Sequence, residues 1–168
     1  MIPRALTLSV LALLLIAAWY DVAVRIIPDT ISLLVVAIGT LVRALEGASA
    51  LTLSVGTALL LFIMLLLVYS RGMIGGGDVK IMAALAVALS PLDSYRFVVA
   101  TACAGGFLAI AYLLLSRKLH AIPNLRPRSL LGRIAAIESW RIRRRGPLPY
   151  GVAIAAGGAF VLLFPRSF

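Results

Sequence analysis

Residues 50–69 run for twenty positions without a single charged side chain. About 20 predominantly apolar residues are what a helix needs to cross the roughly 30 Å of bilayer hydrocarbon. The same character recurs over residues 6–20, 30–45, 79–92, 97–115 and 148–164, so one chain carries six apolar segments. A chain built this way is expected to be all-α and polytopic, with about six transmembrane helices.

Composition excludes the soluble alternative. Hydrophobic residues make up 62% of the 168 and charged residues 13%, against about 45–50% and 25% in ordinary globular domains. The excess is too large for one buried core. Net charge is +10, which in a soluble protein suggests nucleic acid. Here the bases lie mainly between apolar runs, so membrane orientation and lipid headgroups account for them and nucleic acid is not expected as a partner. The one cysteine, Cys103, allows no internal disulfide and no thiolate metal site, and reads as a small residue packed in a helix. No cofactor is implied.

Segment one, residues 6–20, is Leu/Ala-rich and ends in Trp19 and Tyr20, side chains suited to an interface. It resembles a signal peptide in length and charge, but Trp19-Tyr20-Asp21 stands where a small-residue cleavage site would be, so it is read as a retained first helix. Pro28 blocks continued helix and restricts Ile27. Asp21 therefore falls near a helix end, and Asp29 in a turn or at a new helix start, where Asp29 or Thr30 would cap segment two. Residues 46–49 make the next turn, and residues 70–77 break segment three from segment four. Segment four, 79–89 and on to 92 across Pro91, is short for a span. Gly105-Gly106 in segment five suits a close helix contact. Residues 116–147 form the long basic loop of an otherwise single domain over residues 1–168. Within that loop, residues 130–140 have apolar positions at helical spacing and read as an interfacial helix. Pro147 and Pro149 precede the last span.

Charge sets an expected orientation. With the N-terminus outside, the inner side holds Arg25, Arg71, Lys80 and nine bases of the long loop, twelve in all, against Arg4, Arg43, Arg96 and Arg166 outside. This orientation puts Asp21, Asp29 and Asp78 on the same, cytoplasmic side.

Asp21 and Asp78 are the carboxylates of interest. Two carboxylates sharing one proton hydrolyse a peptide with one as base toward water and the other as acid toward the carbonyl and leaving amine. Gly75, Gly76 and Gly77 let backbone approach closely beside Asp78. The alternatives stay open: Asp78 as N-cap of the helix starting at Val79, Asp21 as an i,i+4 partner of Arg25. Asp93 reads as a turn residue or helix cap, Glu46 as a loop acid, and Glu138 as a partner of Arg141 or Arg133. His120 has no cysteine or acidic cluster near it, so no metal site is assigned. The glycine run lacks the lysine and hydroxyl of a phosphate loop.

Gly75-Gly76-Gly77-Asp78 matches the Gly-x-Gly-Asp motif of intramembrane aspartic proteases. With Val79-Lys80-Ile81-Met82 it resembles the type IV prepilin peptidase family. Asp21 followed by Arg25 and by Ile27-Pro28-Asp29 is similar to that family's first-acid region, and residues 148–157 to its final span. The resemblance covers nearly the whole chain. It implies Asp21 and Asp78 as catalytic acids, with Gly75, Gly76, Gly77, Arg25, Pro28, Asp29 and Lys80 in the supporting region. Asp29 stands where many relatives carry Asn. The chain has neither the Cys-x-x-Cys pairs nor the cytoplasmic domain of larger members, and so resembles the compact CpaA/TadV-type branch acting on Flp-type prepilins or pseudopilins of tight-adherence systems. Methyl transfer is not expected of it. The implied partner is a prepilin with a basic leader, a Gly before the cut and an apolar helix after it that docks among the segments. The implied place is the bacterial inner membrane, with cleavage at the cytoplasmic face. Two rivals remain: a non-enzymatic membrane component of a pilus or secretion system, whose aspartates only cap helices, and a small transporter, against which stands the position of both acids at segment ends.

Overall fold

The computed structural model describes residues 4–118, 137 and 148–164, and their regular structure is entirely helical. The helices are α1 (Arg4–Val24), α2 (Asp29–Glu46), α3 (Ala48–Ser70), α4 (Gly76–Ala88), α5 (Pro91–Lys118) and α6 (Tyr150–Leu163). The expected basic loop begins later than residue 116, because residues 116–118 belong to α5; the rest of it, with its expected interfacial helix, His120 and Glu138, lies outside the described residues, Ile137 apart.

Several boundaries differ from expectation for identifiable reasons. α1 runs past residue 20 and carries Asp21 inside its last turns. Only Gly47 separates α2 from α3, at φ 118°, a conformation open to a residue without Cβ; the four-residue turn expected there shrinks to one residue. Glu46 accordingly belongs to α2, paired with Arg43. The apolar run expected to continue across Pro91 is broken, because α4 ends at Ala88 and Pro91 begins α5, where a missing N–H is harmless. Ser90 seals that start: its Oγ accepts the Asp93 N–H at 3.1 Å and donates to the Asp93 carboxylate at 2.9 Å. The cap is therefore Ser90, and Asp93, expected as a turn residue or cap, lies in the first turn of α5.

Among the described residues, three helices are long and apolar enough to cross a membrane: residues 5–24, 48–70 and 91–116. α4 and α6 have 13 and 14 residues, about 20 Å at 1.5 Å per residue, well short of the hydrocarbon thickness. They form the centre of the molecule. Ile81, Leu85 and Ala86 of α4 and Ile154 and Val161 of α6 are buried. α2 and α3 pack on α4, while α1 and α5 pack on α6. α3 buries only Ser54 and Ala58 and exposes Leu53, Leu60 and Leu67, the surface of a lipid-facing helix.

Helices in lipid gain little from burying apolar surface against one another, so close packing has to hold them. Small residues sit where it matters. A Cβ at Gly39 would come within 2.8 Å of Ala88, and one at Gly157 within 2.7 Å of the Thr101 backbone. Of the Gly105-Gly106 pair, Gly105 makes the close contact, against Tyr150, while Gly106 faces open space. Cys103 is exposed on α5 rather than packed. Away from the acids, the buried Ser54 hydroxyl accepts from Arg43 Nε and donates to the Leu89 carbonyl, both at 2.7 Å, tying α2, α3 and the end of α4 together.

Candidate active site

The site begins with the register of α1. Val10, Leu14, Ala17 and Asp21 are its buried positions, spaced at i, i+4, i+7 and i+11, one face of a 3.6-residue helix. A carboxylate therefore occupies the last place on an apolar stripe and is 8% exposed. Such burial demands a partner. One is the N–H of Gly151, which donates to Asp21 Oδ2 at 2.7 Å from the first turn of α6. That amide is free for the purpose because the first four N–H groups of a helix lack intrahelical acceptors. The position tolerates only glycine: a Cβ there would lie 2.9 Å from the Asp21 Cβ.

After α1 the backbone reverses at Arg25, which sits at φ 62° with its N–H directed to the carbonyls of Tyr20 and Asp21 at 3.2 and 3.1 Å. For a residue with a Cβ, this left-handed conformation costs about 1–2 kcal/mol. Pro28 (φ −60°, ψ 135°) then supplies the extended residue before α2, and its carbonyl accepts the Ile31 N–H at 3.1 Å. Asp29 is the first residue of α2, and no side chain makes a capping hydrogen bond there. The expected cap by Asp29 or Thr30 is therefore not formed. Because Pro28 takes the capping position, the Asp29 carboxylate is free to accept Lys80 Nζ from α4 at 2.8 Å.

The glycine run divides between loop and helix. Gly75 is the extended residue before α4, whereas Gly76 and Gly77, expected in the break, form its first two positions and Asp78 its third. Asp78 is thus not the N-cap. Its carboxylate reaches back to the Gly75 amide, the return arm of a capping box. The other two glycines permit close approach: Gly76 stands by the Tyr69 ring, and a Cβ on Gly77 would come within 3.3 Å of Ile27. The start of α4 is in this way pressed onto the turn between α1 and α2.

The result is one cavity of about 520 Å³ lined by both Asp21 and Asp78. Arg25, Asp29, Lys80, Gly75, Gly76 and Gly77 also line it, and Phe62, Leu66 and Tyr69 form an apolar wall. Of the residues singled out in the sequence only Pro28 does not face this space; it shapes the turn behind it. Asp21 and Asp78 lie within electrostatic reach of each other, and Arg25 within reach of Asp78. Among the described residues, no group of three or more His, Cys, Asp or Glu side chains is placed to hold a metal ion. Sequence reasoning does not single out Gly151 or Tyr69. The signal for Gly151 was present in Pro149-Tyr150-Gly151, a helix start with a glycine in its first turn, but nothing local says which side chain that amide meets.

A family model described as the type IV leader peptidase family matches residues 8–110. That span contains both carboxylates, the turn at Arg25 and the glycine run. No curated protein and no solved structure matches the chain.

Proposed function

The chain belongs to the type IV leader peptidase family, and from that premise we propose that it is a membrane aspartic endopeptidase whose working pair is Asp21 and Asp78. The observation that carries this reading is the shared cavity: two carboxylates from the end of α1 and the start of α4 border one space beside three glycines. Like charges held near each other do not both ionise easily, so the pair retains a proton between them. The ionised member takes a proton from water as it attacks the scissile carbonyl. The protonated member hydrogen-bonds the carbonyl oxygen, and the proton ends on the leaving amine. The Gly151 N–H holds Asp21 in place, and Arg25 offsets negative charge beside Asp78.

The substrate in this reading is an Flp-type prepilin or pseudopilin, cut after the glycine of its basic leader. The N-terminus lies outside, and the six helices carry the chain back and forth across the bacterial inner membrane, α1, α3 and α5 toward the cytoplasm and α2, α4 and α6 away from it. α2, α4 and α6 complete a six-segment bundle that opens the cavity to the cytoplasm. The alternation of helix ends supports this arrangement. The end of α1, the starts of α2, α4 and α6, and the end of α3 all gather around the acids.

The test is cleavage of a co-expressed Flp-type prepilin in membranes. Asp21→Asn and Asp78→Asn, each made alone, are expected to lower the rate by about 10²–10⁴-fold at unchanged enzyme abundance. Cleavage persisting in either variant excludes the two-carboxylate mechanism. Loss of the Asp78→Asn protein itself from the membrane would instead favour a scaffold in which that residue only secures a helix start.

A further inference from the structure

Most of the residues that α6 buries are Gly or Ala. Small residues let helices come close in a membrane, but they offer little to fix one helix lengthwise against another. In the first turn of α6 only Tyr150 has a long side chain. The tip of its ring is seated on α5 where Gly105 lacks a Cβ. A Cβ added there would stand 2.9 Å from Cε2 and 3.0 Å from the hydroxyl oxygen. The next residue of α5, Gly106, faces open space, so the contact belongs to one glycine of the pair. The backbone at the same place carries the amide that holds Asp21. Pro149 is fully buried at φ −74° and ψ 80°. The turn around it takes two N–H groups onto its own carbonyls, Tyr150 to Leu148 at 2.9 Å and Val152 to Pro149 at 3.2 Å. Between them, the Gly151 N–H leaves the turn and donates to Asp21 at 2.7 Å. The Tyr150 side chain also lies within electrostatic reach of Asp78, yet it does not line the carboxylate cavity. One residue thus bears on both acids from behind the space a substrate would enter.

We infer that Tyr150 is a positioning residue of the acid pair: its ring, wedged against Gly105, fixes the start of α6 along α5 and so keeps the Gly151 N–H on Asp21. The inference rests on the peptidase reading and deepens it, by naming a residue that acts through the acids without touching substrate. A slide or rotation of α6 by about 1 Å is enough to stretch the 2.7 Å bond to Asp21 beyond hydrogen-bonding range. A face of Gly and Ala resists such a slide weakly, whereas a ring seated on the backbone of α5 blocks it. The ring suits the task because a rigid side chain with two rotatable bonds gives up little freedom when it is held. The hydroxyl is not needed for this role, since the ring atoms already touch α5.

The test uses the full chain purified in detergent, with an Flp-type prepilin as substrate. Tyr150→Ala is expected to lower kcat on the order of a hundredfold, the cost of about 1 Å of misplacement, with KM within about twofold of wild type. Tyr150→Phe keeps the ring and is expected to retain most of the activity. Gly105→Ala pushes the ring from its seat and is expected to lower kcat at least about tenfold, while Gly106→Ala leaves it unchanged. Once the ring is gone the added Cβ displaces nothing. Gly105→Ala made in the Tyr150→Ala protein is therefore expected to add less than about a twofold further loss. Losses that multiply, a Phe variant as poor as the Ala variant, or a raised KM with kcat intact each overturn the inference. A second readout does not depend on turnover. With isotope-labelled glycine the 14 glycines give a countable set of amide signals, and Gly151→Ala identifies that of Gly151 by its loss. This amide is expected to exchange with solvent at least about tenfold faster in Gly105→Ala than in wild type, and at the wild-type rate in Gly106→Ala. Faster exchange in a protein that cuts no prepilin sinks the peptidase reading and leaves the positioning standing. Prepilin cleavage with Gly151 exchange unchanged in Gly105→Ala sinks the positioning alone.

Discussion

Asp21 is an acid at a position its helix reserves for apolar side chains, and the cost is met by a backbone amide from the opposite end of the chain. The consequence is a sharp steric demand at residue 151. Gly151→Ala places a Cβ 2.9 Å from the Asp21 Cβ and 3.0 Å from Oδ2, so either α6 or the carboxylate must shift. A displacement of about 1 Å at a reacting group costs on the order of a hundredfold in rate. Prepilin cleavage is expected to fall by about that much in Gly151→Ala while the protein still inserts, as judged by its abundance in membranes; a wild-type rate would mean that the amide does not position Asp21. Arg25 illustrates the same economy. Its left-handed backbone is the type of strained geometry that clusters at functional sites, and it brings a guanidinium to the cavity at a turn where glycine would be the relaxed choice.

Among the elements, α4 decides most. It presents Asp78 at one end, meets Ala88 against Gly39 at the other, and is joined to α2 by Lys80 and Asp29. That ion pair is exposed, with side chains 52% and 67% accessible, so its contribution to stability is at most a few tenths of a kcal/mol. Its role is register between α4 and the α1–α2 turn. Asp29→Lys and Lys80→Asp, each alone, are expected to reduce cleavage several-fold with little effect on thermal unfolding in detergent, and the double exchange to restore most of it. A double variant no better than the singles would remove the pair from any positioning role. The packing of α5 on α6 is tested by a contrast of glycines. Gly157→Ala drives a Cβ into Thr101 and is expected to destabilise by about 1–3 kcal/mol. Gly56→Ala, with nothing within 4 Å, is expected to be neutral or slightly stabilising, since alanine is the better helix former. Melting temperatures of the two purified variants give the comparison; equal values would contradict the close α5–α6 crossing.

At the scale of the whole molecule, long helices surround two short ones, so the acids lie at one end of a bundle whose centre never has to face lipid. The proposed orientation is open to direct test. In a Cys103→Ser background, Ser49→Cys is expected to react with an impermeant maleimide from outside the cell. Met73→Cys, 74% exposed in the connection before α4, is expected to react only after the inner membrane is opened. The reverse pattern would place the cavity on the outer face and remove any route to a cytoplasmic leader.

What the sequence by itself determined is the part of this protein governed by local physics. Unbroken apolar runs specify helices, Pro28 specifies a break between the first two, and the glycine run beside Asp78 marks a place of close approach. Two carboxylates at the ends of apolar runs were legible because an acid is expensive there and few other acids compete for attention. Tertiary structure alone decided the rest, because it depends on what each exposed group meets. Local pattern does not say that α4 and α6 are the central helices of the bundle, since a 13-residue apolar run looks the same whether protein or lipid covers it. Nor does it say that Pro28 displaces Asp29 from the capping position and turns it toward Lys80. The pairing of Asp21 with Gly151 joins residues 130 positions apart. A backbone amide carries no sequence signature of its own, so only the packing of α6 against α1 could reveal it.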